Sequence, residues 1–265
     1  MRTLTLKRPV KVKQPPKTKA TWAKEIEAAA NELAMAAPSI GSGLGNAYEA
    51  WVALELAKAL RDLGLFVQAR DCQDTPTHEF FFRRNPGKIK SASTHPYNQP
   101  CHFTVDGASD VLEIHAGVQH RGMSDDLHEI DISVVPQAEA AATRALAKGG
   151  AHVGTRCLAL ELKEYGDESF IDKGIPRALL GVMADLDPEL IAARAARRPR
   201  ARISVVSGYA PAPHYALLTT AKIRPPSKTF LSAHGVQWAE GLNCRDDCDA
   251  IDQLAQRVAD ILRRR

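Results

Sequence analysis

The spacing of apolar residues changes at Gly64, and this change limits the chain to a fold that combines helices with a sheet. Before it, residues 22–35 have a helical composition, and a second helix is predicted from an Asn46 cap to Gly64. The apolar residues of this second helix, among them Trp51 and Leu60, form one broad face. After Gly64 the period becomes two and β-branched or aromatic residues are frequent, which is typical of strands.

Strands are predicted up to Pro136, and helices and strands alternate after it. The early strands are residues 65–70, 79–84, 102–107, 111–120 and 128–136. They are followed by a helix (137–150), a strand (156–167), a helix (170–186), two strands (201–208 and 214–220) and a C-terminal helix (246–265). This order predicts a mixed α/β fold in which helices cover a central sheet.

Basic residues are concentrated in three segments, although the formal net charge is only +4. Residues 1–20 contain seven Lys or Arg, no acid and three prolines, which predicts a disordered basic arm, with residues 21–265 as a single domain. The other segments are residues 194–202 and 263–265. Such patches suit a polyanion partner, and a soluble charged surface is the alternative.

Several other functions are disfavoured by composition. No apolar stretch reaches the roughly 20 residues that span a bilayer and no secretory signal is evident, so a cytoplasmic protein without membrane contact is expected. Five scattered cysteines argue against a disulfide framework, and reduced thiols are favoured over a zinc site at Cys244 and Cys248. "GSGLGN" lacks a preceding strand and a following GK[ST], so a flexible entry to the next helix is favoured over a nucleotide site.

The histidines between residues 78 and 128 are numerous, but most are interpreted as ordinary strand or loop residues. A zinc site built from them is expected to need H-x3-H spacing on a helix, and they lie on predicted strands.

Two predicted strands carry charges inside apolar runs. In "LHEIDISVV", alternation places Glu129 and Asp131 on one face and Ile130 and Ile132 on the other. Each charge is costly if it is buried without a partner. This strand therefore buries one face and presents acids on the other.

The second such strand, "LALELKEY", places Glu161 and Lys163 on one face and leucines on the other. If the two strands are neighbours, these residues converge with Asp131. Two carboxylates this close need a cation, and a hard ion such as Mg²⁺ prefers oxygen ligands. The carbonyl of Leu162 is a further candidate ligand. A solvent-facing ion pair between Glu161 and Lys163 on an edge strand is the alternative.

An acidic strand followed by an apolar strand bearing E-x-K resembles the PD-(D/E)xK nuclease superfamily. The resemblance covers about residues 42–207 and implies a restriction-endonuclease-like fold, with an αβββαβ core to which this chain adds extra strands and a C-terminal helix. Asp131, Glu161 and Lys163 correspond to the motif, with Ile130 in place of its proline. Glu129 is interpreted as a strand-face acid beside the site.

The resemblance also implies an acid on the first core helix that completes the metal site. Glu49, in "NAYEAW", is the first candidate and Glu55 is the alternative. In similar nucleases the helix after the motif strand often contacts the phosphate, which makes Lys173 and Arg177 candidates for binding nucleic acid.

The expected function is that of a metal-dependent endonuclease that uses Mg²⁺, or Mn²⁺ in its place. Asp131, Glu161 and Glu49 would hold the ion and Lys163 would assist, while Arg197, Arg198 and Arg200 would bind the nucleic-acid backbone. DNA is favoured over RNA because most members of the family cut DNA, and a role in bacterial defence or mobile-element handling is plausible. The alternative is a catalytically silent nuclease fold that binds nucleic acid or partner proteins, as a homo-oligomer or within a larger complex.

Overall fold

A computed structural model describes residues 19–90, 100–108, 110–166, 168–196, 213–243 and 248–263. The strands are β1 Phe66–Arg70, β2 His102–Asp106, β3 Val111–Arg121, β4 Leu127–Pro136, β5 Leu158–Lys163, β6 His214–Thr219 and β7 Gln237–Ala239. The helices are α1 Lys19–Glu32, α2 Leu44–Asp62, α3 Gln137–Arg144, α4 Gly174–Leu186, α5 Pro188–Ala196, α6 Pro225–Ala233 and α7 Asp249–Arg263.

The strands form one seven-stranded mixed sheet whose order follows the chain from β1 to β7. Neighbouring strands are antiparallel from β1 to β5 and parallel from β5 to β7. The predicted mixed α/β class, with a central sheet flanked by helices, is therefore confirmed. None of the helices described here is both long and apolar enough to cross a bilayer.

Helix α2 is the centre of the larger hydrophobic core. Apolar residues cover most of its circumference, so it is buried between α1, α7 and one face of the sheet. The rings of Trp22, Tyr48 and Trp51 pack together here, with centroid separations of 5.3 to 6.0 Å. This packing fixes the position of α2 relative to the strands, and with it the polar residues that α2 carries.

Strand β5 separates this core from a second one. Leu158, Leu160 and Leu162 belong to the larger core, whereas Ala159 belongs to a second cluster that includes Met183 of α4. The alternating apolar pattern of β5 thus buries both faces of its first half. Only its last residues, Glu161 and Lys163, are partly exposed.

Two local predictions of secondary structure are wrong. Residues 79–84 form an isolated bridge at Phe81 rather than a strand, because Phe82 and the carbonyl of Phe80 bond to Ser39 instead of to the sheet. Helix α2 begins at Leu44 and is not capped by Asn46, whose side chain instead lies against Gly41. The predicted strand at 201–208 and most of the basic arm lie outside the described residues.

Candidate metal-dependent active site between β4 and β5

Strands β4 and β5 are antiparallel neighbours that separate at the carboxylate of Asp131. Their ladder runs over three residue pairs and ends at the pair of Ile132 with Leu160. Beyond it, the backbone N–H of Leu162 donates to Asp131 Oδ2 at 2.6 Å. Beyond the ladder, a side-chain carboxylate thus accepts the hydrogen bond that a strand carbonyl would accept within it.

Lys163 lies between the two motif carboxylates. Its Nζ is 2.7 Å from Glu161 Oε1 and 3.6 Å from Asp131 Oδ2. Although burial acts to lower it, the charges of Asp131, Glu161 and Glu49 raise the pKa of Lys163 well above its ordinary value. The lysine is therefore a fixed cation with one exposed side.

Helix α2 adds Glu49 to this group. Burial, followed by the charges of Asp131 and Glu129, raises the pKa of Glu49 to about 8, while Lys163 opposes the rise. Burial and the charge of Glu161 raise the pKa of Asp131 to about 7. The pKa of Glu129 is also raised, first by burial. Because one lysine does not balance these carboxylates, the group is short of positive charge.

Glu55 belongs to a different part of α2. Its carboxylate pairs with Lys58 at 3.4 Å, and the other charges that act on it are those of Glu32 and Asp252 on α1 and α7. The charges that act on the two side chains therefore favour Glu49 over Glu55 as the helical acid of the site.

If this group is the metal-dependent active site that the sequence predicts, we expect Glu49→Gln to reduce Mg²⁺-dependent cleavage at least tenfold, because a neutral amide oxygen binds a hard cation more weakly than a carboxylate oxygen. Glu55→Gln, on the same helix, should cleave at the wild-type rate. The comparison is made by measuring initial rates at several Mg²⁺ concentrations. Equal losses in the two variants would contradict the placement of Glu49.

The side-chain alternation of β4 breaks at Asp131. Ile132 belongs to the larger core and Ile130 to the second cluster, so the prediction that they share one face is wrong. Gly117 of β3 lies opposite Asp131, between the partners of Ile130 and Ile132, and its φ is +61°. A left-handed residue changes the direction of a strand, which explains why the faces exchange here.

We expect Gly117→Ala to destabilise the protein by about 1–2 kcal/mol, because a residue with a Cβ is strained at this φ. Its Cβ would also lie 3.4 Å from the side chain of Arg83. Gly181→Ala in α4 is the matched control, because the added Cβ meets no atom within 4 Å. Its free energy of unfolding should rise by roughly 0.5–1 kcal/mol. Denaturant midpoints measure both, and a neutral Gly117→Ala would show that the turn is not fixed by this glycine.

The predicted nucleic-acid contacts are less closely tied to the site. Lys173 and Arg177 are exposed at the start of α4. Among the described residues, neither forms an ion pair with an acid of the site. Arg197, Arg198 and Arg200 lie outside the described residues.

A second polar cluster was not predicted from the sequence. His102 of β2 and His115 of β3 stack with a centroid separation of 5.1 Å, and Glu113 lies between their ring nitrogens. Helical spacing is not needed to bring these residues together, because neighbouring strands do so. The sequence signal for this cluster was the E-x-H spacing of Glu113 and His115 together with His102 on the preceding strand.

Comparisons with protein families, curated proteins and solved structures give no relative from which the function of the site could be inferred. No protein-family model, no curated protein and no solved structure matches this chain. The function is therefore argued from the geometry of the four groups Glu49, Asp131, Glu161 and Lys163 and from the chemistry that they can carry out.

Proposed function

We propose that the protein is a metal-dependent nuclease of the restriction-endonuclease-like fold, with DNA as its preferred substrate. The observation that carries this proposal is the junction of β4 and β5, where Lys163 Nζ lies within 3.6 Å of a carboxylate oxygen of both Asp131 and Glu161. An exposed ion pair on an edge strand, the alternative, does not account for the central position of β5 in the sheet or for the buried Asp131.

The residues fit a hard divalent cation such as Mg²⁺ or Mn²⁺. The donors are carboxylate oxygens from Asp131, Glu161 and Glu49, with the carbonyl of Leu162 as a further candidate, and these carboxylates exceed the available positive charge. When bound, such an ion supplies an activated water and neutralises charge on the phosphate.

The side chains of the site have separate roles in this proposal. The three carboxylates bind the cation, and Asp131 is held in place by the Leu162 N–H. Lys163, kept charged by its neighbours, orients the attacking water or stabilises the negative charge that develops on the phosphorane. Lys173 and Arg177 are proposed to contact the phosphate backbone.

The direct test is to incubate the protein with plasmid, linear and single-stranded DNA and with RNA, in Mg²⁺, Mn²⁺ or EDTA. The proposal expects cleavage that requires metal and is lost in Asp131→Asn, while Asp126→Asn, an exposed acid of the β3–β4 turn, keeps it. Cleavage that survives Asp131→Asn would reject the site. Binding without cleavage on every substrate would support a catalytically silent nucleic-acid-binding module instead.

A further inference from the structure

We propose that His102, Glu113 and His115, with Asp74, form a structural site for a borderline transition-metal ion of the Zn²⁺ class. The cluster lies on the sheet face opposite the larger core, since Glu113 and His115 alternate with Leu112 and Ile114, which belong to that core. It does not include any residue of the proposed active site.

The ligand atoms of His102, Glu113 and His115 are close enough to share one metal ion, whereas Asp74 contacts His102 but lies outside this group and would turn towards the ion as a fourth ligand. Glu113 Oε2 is 2.8 Å from His115 Nε2 and 3.6 Å from His102 Nε2, and His102 Nε2 is 3.2 Å from Asp74 Oδ1. Ligands of a tetrahedral Zn²⁺ with bonds near 2.05 Å are roughly 3.3 Å apart. The atoms of the two histidines and Glu113 all lie within 4.8 Å of one another.

A proton on His102 Nε2 satisfies only one of the two neighbours of this nitrogen. His102 Nε2 lies 3.2 Å from Asp74 Oδ1 and 3.4 Å from a guanidinium nitrogen of Arg144. If that ring nitrogen carries a hydrogen it cannot accept from Arg144, and if it carries none it cannot donate to Asp74. A metal ion on the lone pair of Nε2 would be shared with Asp74 Oδ1 and would leave Arg144 to donate to Glu113.

Glu113 provides the second indication. The side chain is fully buried, and its Oε1 has no hydrogen-bond partner among the described residues. Arg144 contacts Oε2 at 2.5 Å. A carboxylate with a free oxygen can accept from Arg144 through Oε1 and bind a metal through Oε2, which gives both oxygens a partner.

The choice of ion follows from the ligands. Two imidazoles and two carboxylates suit Zn²⁺ and similar ions, whereas Mg²⁺ prefers oxygen alone. Asp74 Oδ2 accepts from Gln137 Nε2 at 3.4 Å, which orients Oδ1 towards His102. With Asp74 drawn in as the fourth ligand, no coordination position would stay open, so the site would be structural and would join β2 and β3 to the segment after β1.

The test uses the full-length protein, stripped with a chelator and titrated with Zn²⁺ and with Co²⁺ in excess Mg²⁺. One equivalent should bind, raise the Tm and give the visible spectrum of tetrahedral Co²⁺ without a thiolate charge-transfer band. Affinity should fall at least tenfold in His115→Gln and in Asp74→Asn. It should be unchanged in His78→Asn, an exposed histidine, and in Asp131→Asn.

The outcomes separate the possibilities. No stoichiometric binding by the wild-type protein would overturn the proposal and leave an ion-pair network centred on Arg144. A thiolate band would assign the metal to cysteines instead. If His115→Gln does not fold, the test rests on Asp74→Asn, since Asp74 is partly exposed. Unchanged Zn²⁺ affinity in that variant would contradict the four-ligand site.

Discussion

Replacing Asp131 with Asn should abolish metal-dependent cleavage and, at the same time, stabilise the metal-free protein. Cleavage should fall by roughly 10³-fold or more, because the side chain loses the charge that binds the cation. The amide oxygen can still accept the Leu162 N–H that Asp131 accepts at 2.6 Å, so the local fold should persist.

The stabilisation follows from the raised pKa of Asp131. An unfolded aspartic acid has a pKa near 3.9, and the folded value is about 7. As the pH rises from about 4 to about 7, the unfolded chain loses its proton first, so the folded state loses stability over this range. The Asp131→Asn variant has no such proton to lose. Its free energy of unfolding at pH 8 should therefore exceed the wild-type value by on the order of 1–3 kcal/mol.

Thermal unfolding in EDTA at several pH values measures this effect. The difference in Tm between Asp131→Asn and the wild-type protein should be small at pH 4 and should grow towards pH 8. Asp126→Asn, in the exposed turn, should follow the wild-type curve. If the variant were less stable than wild type at pH 8, the acids of the site would already be balanced without metal.

Replacing Lys163 with Met should give the opposite change in stability and the same loss of cleavage. We expect cleavage to fall roughly 10²–10³-fold, because the fixed cation beside the phosphate is lost. Without metal, the carboxylates of Asp131 and Glu161 lose a partner at 3.6 and 2.7 Å. Since the lysine side chain is 30% exposed, the destabilisation should be roughly 1–2 kcal/mol rather than the larger cost of a fully buried pair.

Added Mg²⁺ distinguishes the two roles of Lys163. It should restore much of the Tm of Lys163→Met, because a divalent ion can replace the missing positive charge, but it should not restore cleavage. Lys222→Met, which removes the more exposed pair of Lys222 with Glu168 at 2.8 Å, should cleave normally. Full cleavage by Lys163→Met would remove the lysine from the mechanism.

The fold class could be predicted from the sequence because the periodicity of apolar residues reports which faces of the helices and strands are buried. The leucines of β5 and the apolar faces of α2 and α7 are buried as their spacing predicts. The prediction of a strand at residues 79–84 is wrong although Phe80 and Phe82 alternate as strand residues do. Their backbone groups hydrogen-bond to Ser39, which is distant in the sequence. A local pattern carries no information about such a distant partner.

The site was predictable where it depends on neighbouring strands. Asp131, Glu161 and Lys163 meet because β4 and β5 are consecutive in the chain and adjacent in the sheet. The choice between Glu49 and Glu55 depends on the rotation of α2 about its axis, which α1 and α7 fix by packing. The pairing of His102 with Glu113 and His115 depends on the register of β2 and β3, which spacing within one strand does not reveal.

The central claim is that the acids at the junction of β4 and β5 hold a divalent metal ion. Anomalous diffraction from crystals of the protein grown with Mn²⁺ tests it most directly. The account predicts a peak bound by carboxylate oxygens of Asp131 and Glu161, with Glu49 directed towards it, and no peak there in Asp131→Asn. Wild-type crystals without a peak at these two carboxylates would contradict it.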